Sequence, residues 1–112
     1  MDSNALQRRR EKMPTMQTRD AVHAKLALEV SELATVRAAF LTSDDSGGRQ
    51  LHFWTLLDSH DEPTERRLVH IESEIEHQFS DDVEFVFTTI HLRGRDPRAL
   101  IPGDAVLVKA PA

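Results

Sequence analysis

Apolar and polar positions alternate along this chain with two different periods. From Thr18 onward, Val22, Leu26, Val30 and Leu33 recur at intervals of four, four and three, which is one face of an α-helix. Thr18 or Asp20 is available to cap its start. The segment TVRAAFLTSDDSGGRQLHFWTLLD then changes period. Residues 35 to 43 partly alternate, with Val36, Ala38 and Phe40 expected on one side and Arg37 and Ser43 on the other. Asp44-Asp45-Ser46-Gly47-Gly48 has turn chemistry, because both glycines accept positive φ and Asp side chains bond nearby backbone. Residues 51 to 57, LHFWTLL, are rich in strand formers and apolar on both faces, which places this strand at the centre of a sheet.

The helical period returns after Glu62-Pro63. Leu68, Ile71, Ile75 and Phe79 form a stripe spaced three, four and four, with Glu, Arg and His opposite. Proline fits the first turn, and Ser59 or Asp61 fits the cap. VEFVFTTIHL reads as a third strand. Asp96-Pro97 opens a short helical turn, Ile101-Pro102-Gly103-Asp104 predicts a type II turn, and AVLVK closes the chain as a last strand.

The order helix-β-β-helix-β-short helix-β predicts an α+β fold, a two-layer sandwich of a mixed four-stranded sheet with two main helices on one face. The long helix makes a βαβ crossover between the second and third strands. Phe53 and Trp54 point to opposite faces, as do Phe85 and Val86, so the second sheet face is expected to be covered too, by another subunit.

The chain has 112 residues, enough for one core, with 39% apolar and 29% charged residues. Residues 1–14 are expected to form a flexible basic tail around Arg8, Arg9, Arg10 and Lys12, and 15–112 a single α+β domain. The net charge is −5, so the chain outside that tail is more acidic still, which argues against broad binding to a phosphate backbone. Nucleic acid is expected only through the tail, if at all. There is no cysteine, which removes thiolate metal sites and cysteine nucleophiles and suits a reducing cytoplasm. No apolar run is long enough to span a membrane, and the N-terminus lacks the pattern of a secretory signal. Arginine outnumbers lysine, a usage expected of a GC-rich bacterial genome.

In a βαβ unit the two parallel strands end at the same sheet edge, where crevices often bind ligands. Asp58, His60 and Asp61 follow the second strand, and His91, Arg93 and Arg95 follow the third. Together they could hold a phosphate, helped by backbone N–H groups of the short helical turn, or a metal through Asp58, His60 and His91. The plainer alternative is that Asp58 and Asp61 terminate and cap, and that the arginines pair with them. His70, Glu74 and His77 share a helix face, and Glu74-x-x-His77 has the spacing of di-iron bundles, but facing carboxylates are lacking and a solvated face explains them. Phosphate-loop, dinucleotide, zincin and hydrolase-elbow motifs are absent. No residue is assigned as catalytic or as a metal ligand, and no cofactor is expected. In outline the elements resemble nucleotidyltransferase domains, which carry a Gly-Ser pair followed by Asp-x-Asp. Here Ser46-Gly47 is reversed and Asp58 is followed by His60, so the resemblance stops at architecture.

Two functional expectations follow. The first is a small cytoplasmic interaction or regulatory domain that forms a homo-oligomer, or docks on a larger protein partner, through its sheet. The second is a phosphate- or metal-ligand-binding domain, nucleotide-related, that uses the C-terminal edge of the second and third strands.

Overall fold

A computed structural model describes residues 16–43 and 49–111. The expected basic tail and the Asp44–Gly48 turn lie outside the described residues. The elements are α1 (Met16–Val30), β1 (Val36–Ser43), β2 (Gln50–Leu57), α2 (Glu62–Phe79), β3 (Glu84–His91), a short 3-10 turn (Pro97–Leu100) and β4 (Val106–Lys109). The sheet has the order β3-β2-β1-β4, with β2 and β3 parallel and β1 antiparallel to both β2 and β4. This is the α+β arrangement that the alternating periods predict.

The apolar stripes explain the layering. Val22, Leu26 and Val30 of α1 and Leu68, Ile71 and Ile75 of α2 are fully or almost fully buried, packed with Ala39, Leu41, Leu51, Phe53 and Leu57 of the sheet. Both helices therefore cover one face. Each such side chain contributes about 1.5–3 kcal/mol of transfer free energy when fully buried. α1 begins at Met16, so Thr18 and Asp20 lie within it rather than capping it. It stops at Val30, and Leu33 reaches the same core from the turn that follows. α2 follows its sequence closely, with Asp61 as N-cap and Pro63 in the first turn.

Two expectations about local geometry are corrected. Val36 was expected beside Ala38 and Phe40. A β-bulge between Val36 and Ala38 inserts Arg37 as an extra residue, so Val36 joins the helix-side core while Ala38 and Phe40 face the other way. The type II turn at Ile101–Asp104 does not form. Ala105 N–H donates to Pro102 O over 3.2 Å, which places the turn one residue later, and Gly103 is not among the positive-φ residues. Positive φ occurs instead at Arg93 (52°) and Gly94 (88°), the central residues of a Leu92–Arg95 turn closed by Arg95 N–H to Leu92 O at 3.1 Å.

The chain itself covers part of the second sheet face, for which another subunit was the expected cover. Leu92 is fully buried there with Ala38, Phe40 and Leu56, and Leu100, Ile101 and Ala105 pack on the same cluster. Beyond this cover, Trp54 stacks between Phe40 and His52, with ring centroids 5.9 and 3.8 Å away. Its indole N–H donates to the Thr42 hydroxyl, and His52 Nε2 lies 2.7 Å from the Thr88 hydroxyl. Burial holds the His52 imidazole below its ordinary pKa.

Candidate functional site

Strand pairing brings the ends of β2 and β3 level. Leu57 sits beside His91 in the parallel ladder, and the ladder continues past both strands. Leu92 N–H donates to Leu57 O and Arg93 N–H to Asp58 O, at 2.6 and 2.8 Å. The first turn of α2 starts at this same edge. Side chains on a helix lean toward its N-terminus, so a residue one turn in reaches back over the strand ends.

Glu65 is that residue. Its Oε2 lies 2.6 Å from His60 Nδ1 and accepts from the Asp61 backbone N–H at 2.9 Å. Its Oε1 lies 3.2 Å from His91 Nε2. One carboxylate thus bridges two imidazoles, whose ring centroids are 6.0 Å apart in an edge-on arrangement. The Asp61 N–H is the main cause that holds the Glu65 carboxyl below its ordinary pKa. Hydrogen bonding to His91 and the nearby charges of the two imidazoles add to it, and partial burial opposes them. Glu65 and His91 side chains are about a quarter exposed, at 25% and 29%, whereas His60 is open to solvent at 69%. One donor atom from each of the three residues lies within 4.8 Å of the others, and this is the one such cluster of His and acidic residues among the described residues.

The other residues expected at this edge have different partners. Asp58 pairs with Arg37, Nη1 to Oδ1 at 2.7 Å, because the β1 bulge aims Arg37 across at the end of β2. Asp61 caps α2 by accepting from Thr64 N–H at 3.2 Å. Arg95 folds back onto the carbonyls of His91 and Leu92, both at 2.9 Å. Arg93 is exposed, and its link to this edge is through its backbone N–H. The short helical turn offers no open anion cradle, since the Asp96 carboxylate already accepts from Arg98 N–H at 3.0 Å. Of the six expected residues, the structure brings His60 and His91 to one centre.

A groove of about 360 Å³ runs up to His60, lined by Ala34, Thr35, Arg37, Asp58, Ser59 and Asp61. A larger cleft of about 610 Å³ lies at the other end of α2 and β3, around His77, Asp81 and Glu84. On the outer face of α2, Glu74 approaches Lys25 of α1 at 3.9 Å, and His70 and His77 are exposed. The Glu74-x-x-His77 pair gathers no further ligand among the described residues.

Neither the protein-family models nor the curated proteins include a match to this chain. The geometry of the site is therefore the basis for its functional reading.

Proposed function

We propose that this domain binds a divalent transition-metal ion, zinc above all, through His60 Nδ1, Glu65 and His91 Nε2. The observation that carries the reading is the convergence of two imidazoles and a carboxylate from three separate segments onto one point at the C-terminal edge of parallel strands. Two nitrogens and one oxygen, without thiolate, form a donor set suited to zinc, and three protein ligands leave a position for water or another ligand.

Ligand atoms around one zinc ion sit about 3–4 Å apart, given metal–ligand distances of about 2.0–2.2 Å. The separations are 2.6 Å from His60 to Glu65 Oε2 and 3.2 Å from His91 to Oε1, so the exposed His60 ring turns from its present pairing to share one ion with the other two residues. The Asp61 N–H fixes Glu65 Oε2 from behind, the kind of outer contact that orients a ligating carboxylate. The groove beside His60 gives a small ligand access to the open position. The domain is accordingly a metal-dependent ligand-binding unit in this reading.

Calorimetric titration of the untagged 112-residue chain with zinc tests it. One ion should bind per chain. Glu65→Gln and His91→Ala should each weaken binding by more than the roughly 10–100-fold typical of outer-contact changes, while Asp58→Ala should leave it intact. Zinc binding that is absent, or that survives both site substitutions, overturns the reading.

A further inference from the structure

β3 is an edge strand of eight residues, EFVFTTIH, lying at the end of the sheet order. Exposed edges invite pairing, and proteins usually blunt them with proline, lysine, a bulge or short length. β3 has none of these, and its register with β2 runs unbroken from Glu84 to His91. The opposite edge is different. β4 has four residues, and His23 Nε2 donates to its Leu107 carbonyl.

The phase of the backbone shows what β3 offers. Glu84 N–H donates inward to Arg49 O, and Leu92 N–H donates inward to Leu57 O. Backbone groups alternate sides along a strand, so Phe85, Phe87, Thr89 and His91 present their N–H and C=O groups outward.

We infer that β3 pairs antiparallel with β3 of a second copy, about a two-fold axis through Thr88, to make one continuous sheet across the dimer. A two-fold axis perpendicular to the sheet keeps like faces together, so paired residues must have equal parity. Centring on Thr88 sets Phe85 opposite His91, Phe87 opposite Thr89 and Val86 opposite Ile90 of the other copy. All the outward groups of Phe85, Phe87, Thr89 and His91 are then used in hydrogen-bonded pairs, the His91 C=O taking a second donor beside the Arg95 guanidinium that already bonds it. Thr88 meets its own copy in a non-hydrogen-bonded pair, with apolar Val86–Ile90 contacts on either side.

Charge selects a second copy as the occupant. The strand is entered through Asp81, Asp82 and Glu84 and followed by Arg93 and Arg95. Antiparallel pairing lays the acidic entrance of each copy beside the basic exit of the other, whereas parallel pairing would set like charges together. The arrangement is independent of the metal site, since it uses the β3 backbone and not the side chains of His60, Glu65 or His91.

The chain has no cysteine, so single cysteines report the register directly. In a non-hydrogen-bonded pair the Cα atoms are about 4.5 Å apart, within disulfide reach. Light scattering of the 112-residue chain should show a dimer that dissociates on dilution. Under mild oxidation Thr88→Cys should give a disulfide-linked dimer as its main product. Val86→Cys and Ile90→Cys should each stay monomeric under denaturing conditions but cross-link when mixed, which tests the same register should Thr88→Cys fold poorly. A wild-type chain that remains monomeric at the highest attainable concentration overturns the inference. So does Val86→Cys cross-linking to itself as readily as Thr88→Cys does.

Discussion

Asp61 and Glu65 hold each other in place at the start of α2: the Asp61 N–H donates to Glu65 Oε2 at 2.9 Å, and the Glu65 N–H donates to Asp61 O at the same distance. The Asp61 side chain serves a third contact, the cap on Thr64 N–H. Replacing Asp61 by Ala removes the cap and keeps the N–H. The expected loss is about 1 kcal/mol of stability in urea denaturation, with Asp61→Asn near wild type. Zinc affinity should change little in either variant, which separates Asp61 as a cap from Glu65 as a ligand.

The Arg37–Asp58 pair is the product of a bulge, and its side chains are 34% and 59% exposed. Solvent screens such a pair strongly. Asp58→Ala should cost less than about 1 kcal/mol in denaturation, and less still in high salt.

Leu92 leaves β3 and is wholly buried on the second face of the sheet, holding the 92–105 segment over Ala38, Phe40 and Leu56. Leu92→Ala should cost about 2–5 kcal/mol, the range for a buried leucine cut back to alanine. A loss that small surface substitutions also produce would mean that this segment is a loose strap and not part of the core.

Glu72 gives a pH dependence of defined sign. Burial raises its carboxyl pKa to about 7. Between the ordinary carboxylate value and about 7 the folded chain keeps a proton that the unfolded chain releases, so stability falls as pH rises through this window. Glu72→Gln removes the penalty. Because Glu72 keeps partial contact with solvent, the gain should be about 1 kcal/mol at about pH 8 and close to nothing at about pH 4, measured by thermal or urea unfolding.

Element order and most of the core were legible because each apolar stripe had one period. Leu68, Ile71 and Ile75 read as a helix face and are a helix face, and LHFWTLL reads as a central strand and is one. The bulge at Arg37 left no mark in the alternation, since Val36, Ala38 and Phe40 are apolar wherever they point. The cover over the second face was also hidden. Leu92, Leu100 and Ile101 are scattered singly between turn residues, with no periodicity to assign them to a layer.

The candidate site was half legible. The βαβ topology alone sets His60 and His91 at one edge. Glu65 went unseen because it sits inside a helix rather than at a strand end. The available signal was its place one turn after the Asp61 cap, from which a helical side chain reaches back toward the strand ends. The arginines were misleading for a related reason: Arg93 and Arg95 flank Gly94 in a tight positive-φ turn, so Arg95 folds onto local carbonyls instead of crossing the edge.

The most direct measurement is an anomalous-difference map from crystals grown with zinc and recorded at the zinc absorption edge. Zinc binding at the proposed site places one peak between His60 Nδ1, the Glu65 carboxylate and His91 Nε2, about 2.0–2.2 Å from each. No peak at that point, or zinc bound only at other histidines, would contradict it.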